Sequence, residues 1–498
     1  MDIALGMDAM LYFRKLTEAS FDHEETVELI VPDTLPDVAA VVGCAGTVEL
    51  RSKEAREDSA FASGAVEGCV VYTPEGETAP RVIELSVPWS FAADSPGLDT
   101  SGRIVVRAEL TGLEARVINS RKIVVRASLA ASVRTFMPSE LSWCGEAGGG
   151  VEALMREYTF AAASAVTEKT FSLAESADIP ASKPPIGRIA GCAAAMTADK
   201  LSSAGGRLIL SGTAEIELLY YAQMSGELTG ARISIPYSQS LELSGSEADC
   251  ECSVMPTGVY VRENASGEET VHTVSVELGA VVQLTAREEK TVCAVSDVYA
   301  VKDLVETETK SAFVESMTSS VSGGTSVRET LASDVRVKAI VSCSAAALRP
   351  NPDGNALRVP VRLKALCLGE DGKAFVLEGR AEASFDCPAK RGDSVSVFVS
   401  GVTAEPAAGG AEIPASLRAE VRTFAETELR WVSSAKSTPD PEAASRPSIV
   451  VARVGREDDL WSLAKRCRAS REAIRRLNGL DAEARIAPGD LLIITKNA

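Results

Sequence analysis

Along most of the chain, apolar residues alternate with polar ones at a period of two. Residues 103–110 (Arg-Ile-Val-Val-Arg-Ala-Glu-Leu) and 122–129 (Lys-Ile-Val-Val-Arg-Ala-Ser-Leu) are short runs rich in Val and Ile, and residues 64–72 form another. Clusters of Gly, Pro, Asn and Asp punctuate them, such as Thr73-Pro-Glu-Gly76. This pattern predicts short strands with one buried and one wet face, hence antiparallel sheets. Further strands are expected at 207–210, 214–221, 271–284, 357–366 and 394–399. Residues 151–160 fit a short helix or a strand equally well. The period changes to that of a helix only in the last fifty residues.

The pattern also repeats. Pro32, Pro36 and Cys44 recur as Pro180, Pro184 and Cys192, each 148 residues later. The same ungapped offset relates Gly64 to Gly212, Tyr72 to Tyr220, and Pro88-Trp89 to Pro236-Tyr237. A third, worn copy is marked by Val341-Ser-Cys343-Ser-Ala-Ala, without the paired prolines. Each copy reads as a β-sandwich-like unit. The expected division is copy 1 at 1–140, copy 2 at 141–300 and degenerate copy 3 at 301–432. A linker follows at 433–447, where Ser, Thr, Pro, Ala and charged residues dominate, and a terminal module at 448–498. The Pro-x-x-x-Pro segment that opens copies 1 and 2 is expected to be a rigid entry turn or a short helix.

In the terminal module, residues 448–454 predict a strand, and Asp459 caps a helix in which Leu460, Leu463 and Ala464 share one face. Ser470 stands at the start of a second helix that ends at Leu477-Asn478-Gly479. Pro488-Gly-Asp490 then turns into Leu491-Leu-Ile-Ile494. The order is βααβ. That order, with Leu460-Trp461-x-x-Ala464, Leu477-Asn478-Gly479 and Pro488-Gly489-Asp490-x-Leu492-x-Ile494, resembles the LysM family. The resemblance implies binding of N-acetylglucosamine-containing glycan through two loops. These are Gly455, Arg456, Glu457, Asp458 and Asp459 after the first strand, and Leu480 to Ile486, including Asp481, before the last. The first loop carries more charge than the family's usual Gly-Asp-Thr, and Ala452 stands where an aromatic is common.

The tandem copies, with Pro32, Pro36, Val38, Pro180, Pro184 and Ile186 at their entries, carry Val87-Pro88-Trp89, Ile235-Pro236-Tyr237 and Asn119-Ser-Arg121-Lys-Ile-Val further on. With a LysM-like end, the arrangement resembles the SPOCS-domain family of spore-coat-assembly proteins of endospore-forming Firmicutes. The resemblance implies a mother-cell cytoplasmic protein at the forespore surface, in the spore coat. Its LysM end would dock to a coat-morphogenetic ATPase-type protein.

Charge sharpens the choice of ligand. The chain of 498 residues has a net charge of −19, which argues against nucleic acid as a partner. From Pro447 onward there are ten Lys and Arg against seven Asp and Glu, so the last stretch is basic and the body strongly acidic. Arg468, Arg471, Arg475 and Arg476 are candidates for a protein-binding face, since guanidinium groups pair carboxylates in a fixed fork. No basic n-region precedes an apolar run at the start, so no secretion signal is expected. No transmembrane stretch is visible.

Eleven cysteines, most in strand-like contexts, read as reduced core thiols. The two histidines, His23 and His272, read as a solvated turn and a structural strand position. Cys250-x-Cys252 lacks further nearby ligands, and Gly145-Glu-Ala-Gly-Gly-Gly150 lacks the context of a phosphate loop. The expectation is a protein without catalytic residues, cofactor or metal. Two functions remain: a scaffold of spore-coat morphogenesis, or a peptidoglycan-binding cell-envelope protein.

Overall fold

The computed structural model describes residues 1–498 apart from 205–206, 243–248, 265–269, 354–355, 443–444, 446, 482–485 and 496–498. Copy 1 consists of β1 (Leu5–Ile30), β2 (Val38–Arg56), β3 (Ser59–Pro74), β4 (Arg81–Asp94), β5 (Arg103–Asn119) and β6 (Lys122–Ala147). β6 pairs with both β1 and β5, and β2-β3-β4 form a second sheet. The two sheets enclose one core, with Val70, Tyr72 and Trp89 on one side and Val106, Val125 and Leu129 on the other. Copy 2 repeats the order: β7 (Glu152–Asp178), β8 (Ile186–Ala204), β9 (Arg207–Ala222), β10 (Leu228–Glu242), β11 (Asp249–Glu263) and β12 (Thr273–Tyr299). Residues 151–160 therefore lie almost wholly in a strand.

Copy 3 has the same topology. It comprises β13 (Asp303–Ala332), β14 (Val337–Ala347), β15 (Asn351–Asp353), β16 (Ala356–Gly369), β17 (Ala374–Phe385), β18 (Ser394–Ser400), β19 (Glu405–Ala407) and β20 (Gly410–Pro439). β13-β20-β18 match β1-β6-β5, and β14-β16-β17 match β2-β3-β4. The chain is thus mainly β, in tandem sandwich-like copies. A small module of β21 (Ile449–Arg453), α1 (Leu460–Cys467), α2 (Arg471–Asn478) and β22 (Leu491–Thr495) follows them.

The repeated residues have identifiable jobs. Pro32–Asp37 is a turn, closed by Leu35 N donating to Pro32 O. The Tyr72 hydroxyl donates to Pro36 O at 3.1 Å, and Tyr220 does the same to Pro184 O at 2.8 Å. A Cβ on Gly64 would stand 1.9 Å from Glu49 O and 2.4 Å from the Trp89 ring; on Gly212 it would meet Thr197 O at 2.0 Å and the Tyr237 hydroxyl at 2.5 Å. Each glycine thus makes room for the aromatic opposite it. In copy 3 the matching pair is Val359 opposite Ala383. Both partners have changed together, with bulk moved from one strand to the other. β-Bulges persist at matching places in all three copies, after Val38, Ile186 and Val337 and again after Val41, Ile189 and Ile340.

Several limits differ from the expected ones. The strands are long, because bulges such as that between Lys15 and Thr17 reset the alternation and hide continuity from a short window. β6 carries copy 1 to Ala147. β20 runs on through 433–439, where Ala435 is buried and Ser434 Oγ donates to Glu308, so half of the expected linker is strand. His23 lies inside β1, bonded to Glu25 at 2.9 Å and edge-on to Phe91, rather than in a turn.

Equivalent residues of the three copies meet one another. Val71, Leu219 and Leu366 share one apolar cluster. Leu141, Val292 and Leu429 share another, with Trp143, Ala294 and Trp431. The copies therefore pack around a common axis. On it, Glu251 is buried among Arg134, Arg287 at 3.5 Å and Arg422 at 3.6 Å, at least one arginine from each copy. Despite burial, which opposes ionisation, these guanidinium groups hold its carboxyl down to about 2. Edge strands are closed off by side chains of the next copy. The Gln283 amide accepts from Val106 N at 2.9 Å and donates to Val106 O at 2.6 Å, as a neighbouring strand would. Ile3 N donates to Ala435 O at 2.9 Å and Asp2 bridges to Lys436, which seals copy 1 onto copy 3.

Candidate binding site in the terminal module

β21 and β22 pair antiparallel, with Val451 opposite Ile493 and Ala452 opposite Leu492. The Asp459 carboxylate accepts from Ser462 N at 2.7 Å, and Asp459 N donates to Ser462 Oγ at 2.9 Å, a reciprocal cap on α1. Ser470 occupies the cap position of α2 without a side-chain bond. Gly479, at φ 64°, ends that helix in the left-handed conformation the sequence implied. Asn478 then ties helix to sheet: its amide accepts from Ile493 N and donates to Ile493 O and Ile474 O, each at 2.8 Å.

The first candidate loop is internally braced. Asp458 accepts from Arg466 through two bonds of 2.7 Å and from Gly455 N at 2.8 Å. The Arg466 bonds, then that from Gly455, hold its carboxyl down to about 2. Asp458 and Asp459 are therefore committed to the loop and the helix, while Arg456 and Glu457 are exposed. In the second loop, Leu480 and Ile486 pack on the module's core and Asp481 faces solvent. Residues 482–485 between them lie outside the described residues.

The four arginines part company. Arg471 donates to Glu152 at 3.2 Å and to Ala153 O at 2.8 Å, both on β7, and its guanidinium lies over the Trp461 ring. Arg468, left-handed at φ 51°, is ion-paired with Asp440. Both guanidinium groups are thus engaged within the chain, where the sequence suggested a protein-binding face. Arg475 is half-buried with its Nε unpartnered, and Arg476 is exposed.

Arg471 belongs to a wider seam between module and body. The Tyr299 ring at the end of β12 stands edge-on to Trp461, with centroids 4.9 Å apart, and its hydroxyl donates to Ala469 O at 2.8 Å. Burial pushes that phenol's pKa up. Trp461 Nε1 donates to Asp297 at 2.9 Å, and Lys465 pairs with the same carboxylate at 2.6 Å. Tyr299 and Leu154 complete the cluster that contains Leu463, Ile474, Ile494 and Ala452. The body thus lends an aromatic to a module whose first strand has alanine. The module that follows the expected linker is docked on copy 2.

The surface left free was not among the residues singled out from sequence. Ile449, Val451, Leu491 and Ile493 project from the outer face of the β21–β22 sheet, all between 46% and 66% exposed. Leu477 is also exposed. Alternation predicts polar residues there. The unbroken apolar run at 491–494 was the available signal. Among the described residues, no group of three or more His, Cys, Asp or Glu is placed to hold a metal ion. No helix is long and apolar enough to cross a membrane.

Residues 452–495 match the LysM domain family model. No curated protein and no solved structure matches the chain.

Proposed function

We propose that the chain is a non-catalytic scaffold whose LysM domain holds a partner protein through its outer sheet face. The observation that carries this reading is the apolar surface of Ile449, Val451, Leu491 and Ile493 on a module clamped to the body by its opposite side. An apolar face is the usual centre of a protein contact, and a charged residue such as Arg453, two positions beyond Val451 on β21, suits its rim. The LysM match itself favours the second reading, N-acetylglucosamine glycan of peptidoglycan. Against it stands the bracing of Asp458 by Arg466. The non-catalytic reading is supported by the thiols: burial pushes Cys69, Cys252 and Cys343 up to about 12, far from nucleophilic use. The SPOCS-like entries support a place in spore-coat assembly, in the mother cell at the forespore surface, with a coat-morphogenetic ATPase-type partner.

Two experiments test this. Purified peptidoglycan should retain the chain weakly. Strong retention that survives Val451→Glu, Ile493→Lys and charge reversal at Arg475 and Arg476 would overturn protein docking. A fluorescent fusion should form a ring around the forespore, and the Val451→Glu/Ile493→Lys variant should lose it. A diffuse wild-type signal throughout sporulation would sink the assignment to the coat.

A further inference from the structure

A chamber of about 330 Å³ lies where the three copies meet. Its walls are edge strands: β2, β8 and β14 from the three small sheets, and β5, β11 and β18 from the long ones. Voids in protein cores are few and small, and one of roughly 150 Å³ already accepts a benzene-sized guest. This chamber is in the range of ligand pockets. Small side chains keep it open at equivalent places: Thr47, Ala195 and Ala346 each pair across β2, β8 or β14 with the matching residue of the next strand, which are Glu67, Glu215 and Arg362.

The charges on its lining are almost fully matched. Glu109 pairs with Arg107, Glu114 with Arg126, Glu217 with Arg232 at 3.3 Å and Glu378 with Lys364 at 3.5 Å. Glu215 accepts from Ser234 Oγ at 2.7 Å. Arg362 differs. It is half-buried and has no hydrogen-bond or ion-pair partner among the described residues. Its Nη1 lies over Gly112, 2.8 Å from where a Cβ would stand, a close approach that the glycine makes easy. A guanidinium partly removed from water without a counter-ion is poised for an anion. The lining also includes the apolar, partly exposed side chains of Leu110, Met196 and Val254.

We propose that this chamber binds a small organic carboxylate with an apolar body, its carboxylate forked on Arg362 and its body against Leu110, Met196 and Val254. Planar guanidinium suits a carboxylate in two parallel bonds. Inorganic phosphate satisfies the charge but leaves the apolar wall uncovered.

The test is calorimetric titration of the full chain with decanoate, kept below its micelle concentration, with decanol and inorganic phosphate as comparison probes. Decanoate should bind at least tenfold more tightly than either. Arg362→Met, which keeps the apolar stem and removes the charge, should weaken decanoate at least tenfold. Ala195→Phe, at an exposed position that tolerates bulk, should abolish binding with an unchanged thermal midpoint. Arg336→Gln, a surface change outside the chamber, should leave it intact. No decanoate binding to the wild type, equal binding by Arg362→Met, or phosphate binding as tightly as decanoate overturns the proposal. Should Arg362→Met fail to fold, the Ala195→Phe titration decides, and undiminished binding there overturns the site.

Discussion

Replacing Tyr299 by alanine should release the LysM domain from the body while leaving the three copies folded. The side chain is buried, and truncating a buried aromatic to alanine costs about 3–5 kcal/mol. Its edge-on contact with Trp461 accounts for about 0.5–1.5 kcal/mol of that. The bond to Ala469 O accounts for a further part of the same total, since its loss strands a buried carbonyl at about 1–3 kcal/mol. The ring packs with Trp461, Leu463 and Ile474 of the module rather than in the sandwich core of copy 2, so the loss falls on docking. A change of about 3–5 kcal/mol raises the undocked population by roughly two to four powers of ten. Native-state hydrogen exchange reads this directly. Amide protection over 460–478 should fall by that factor in Tyr299→Ala, and by a smaller one, roughly five- to 150-fold, in Tyr299→Phe, which loses only the hydroxyl. Protection in β3 and β16 should be unchanged. Wild-type protection over 460–478 in the alanine variant would refute the docking argument. Equal losses in all three copies would show that Tyr299 supports the body instead.

Three further outcomes follow from the body. Glu251→Gln leaves the buried Arg134 and Arg287 without a paired carboxylate, while Arg422 keeps Glu420 at 3.0 Å, and should cost about 3–5 kcal/mol at pH 7, seen as a lower urea midpoint. Because the folded carboxyl sits at about 2, below its usual 4.5, its contribution is complete above pH 4.5 and is lost as pH falls towards 2. The wild type should show this as an acid limb of about 3 kcal/mol that is absent in the glutamine variant. Gly64→Ala drives a methyl group into Glu49 O and Trp89, and should destabilise by about 1–3 kcal/mol; an unchanged thermal midpoint would contradict the tight approach. In a thiol titration of the native protein at pH 8, exposed Cys293 should react first, whereas Cys69, Cys252 and Cys343 should stay protected until denaturation.

Much of the architecture could be read from residue order because the constraints are local. The bond from Tyr72 to Pro36 O, the fit of Trp89 over Gly64 and the αL position of Gly479 each demand one residue type at one spacing. Copy 3 reads as worn for a physical reason. Val359 and Ala383 satisfy the same space as Gly64 and Trp89 with the bulk exchanged, so the fold persists while the signature disappears. Packing of copy against copy was not legible. It depends on Leu141, Val292 and Leu429 being brought together from three distant strands, and nothing in local alternation encodes that. The same limit applied to the LysM domain. Its basic residues were visible, but that Glu152, Asp297 and Tyr299 would claim one of its faces was not. The apolar outer sheet went unnoticed because Leu491-Leu-Ile-Ile494 looked like an ordinary buried closing strand.

The contact of Asp2 and Ile3 with Ala435 and Lys436 bears on how such a chain can evolve. Repeats stacked in an open row can gain or lose a unit at little cost, since each new copy needs only one neighbour. Here the last copy returns to the first, and every copy already has two. A fourth unit would find no vacant flank, and a deletion would leave two unmatched ones. Duplication in this lineage therefore has a stopping number, and further change must come through divergence within the existing copies, as Val359 and Ala383 illustrate.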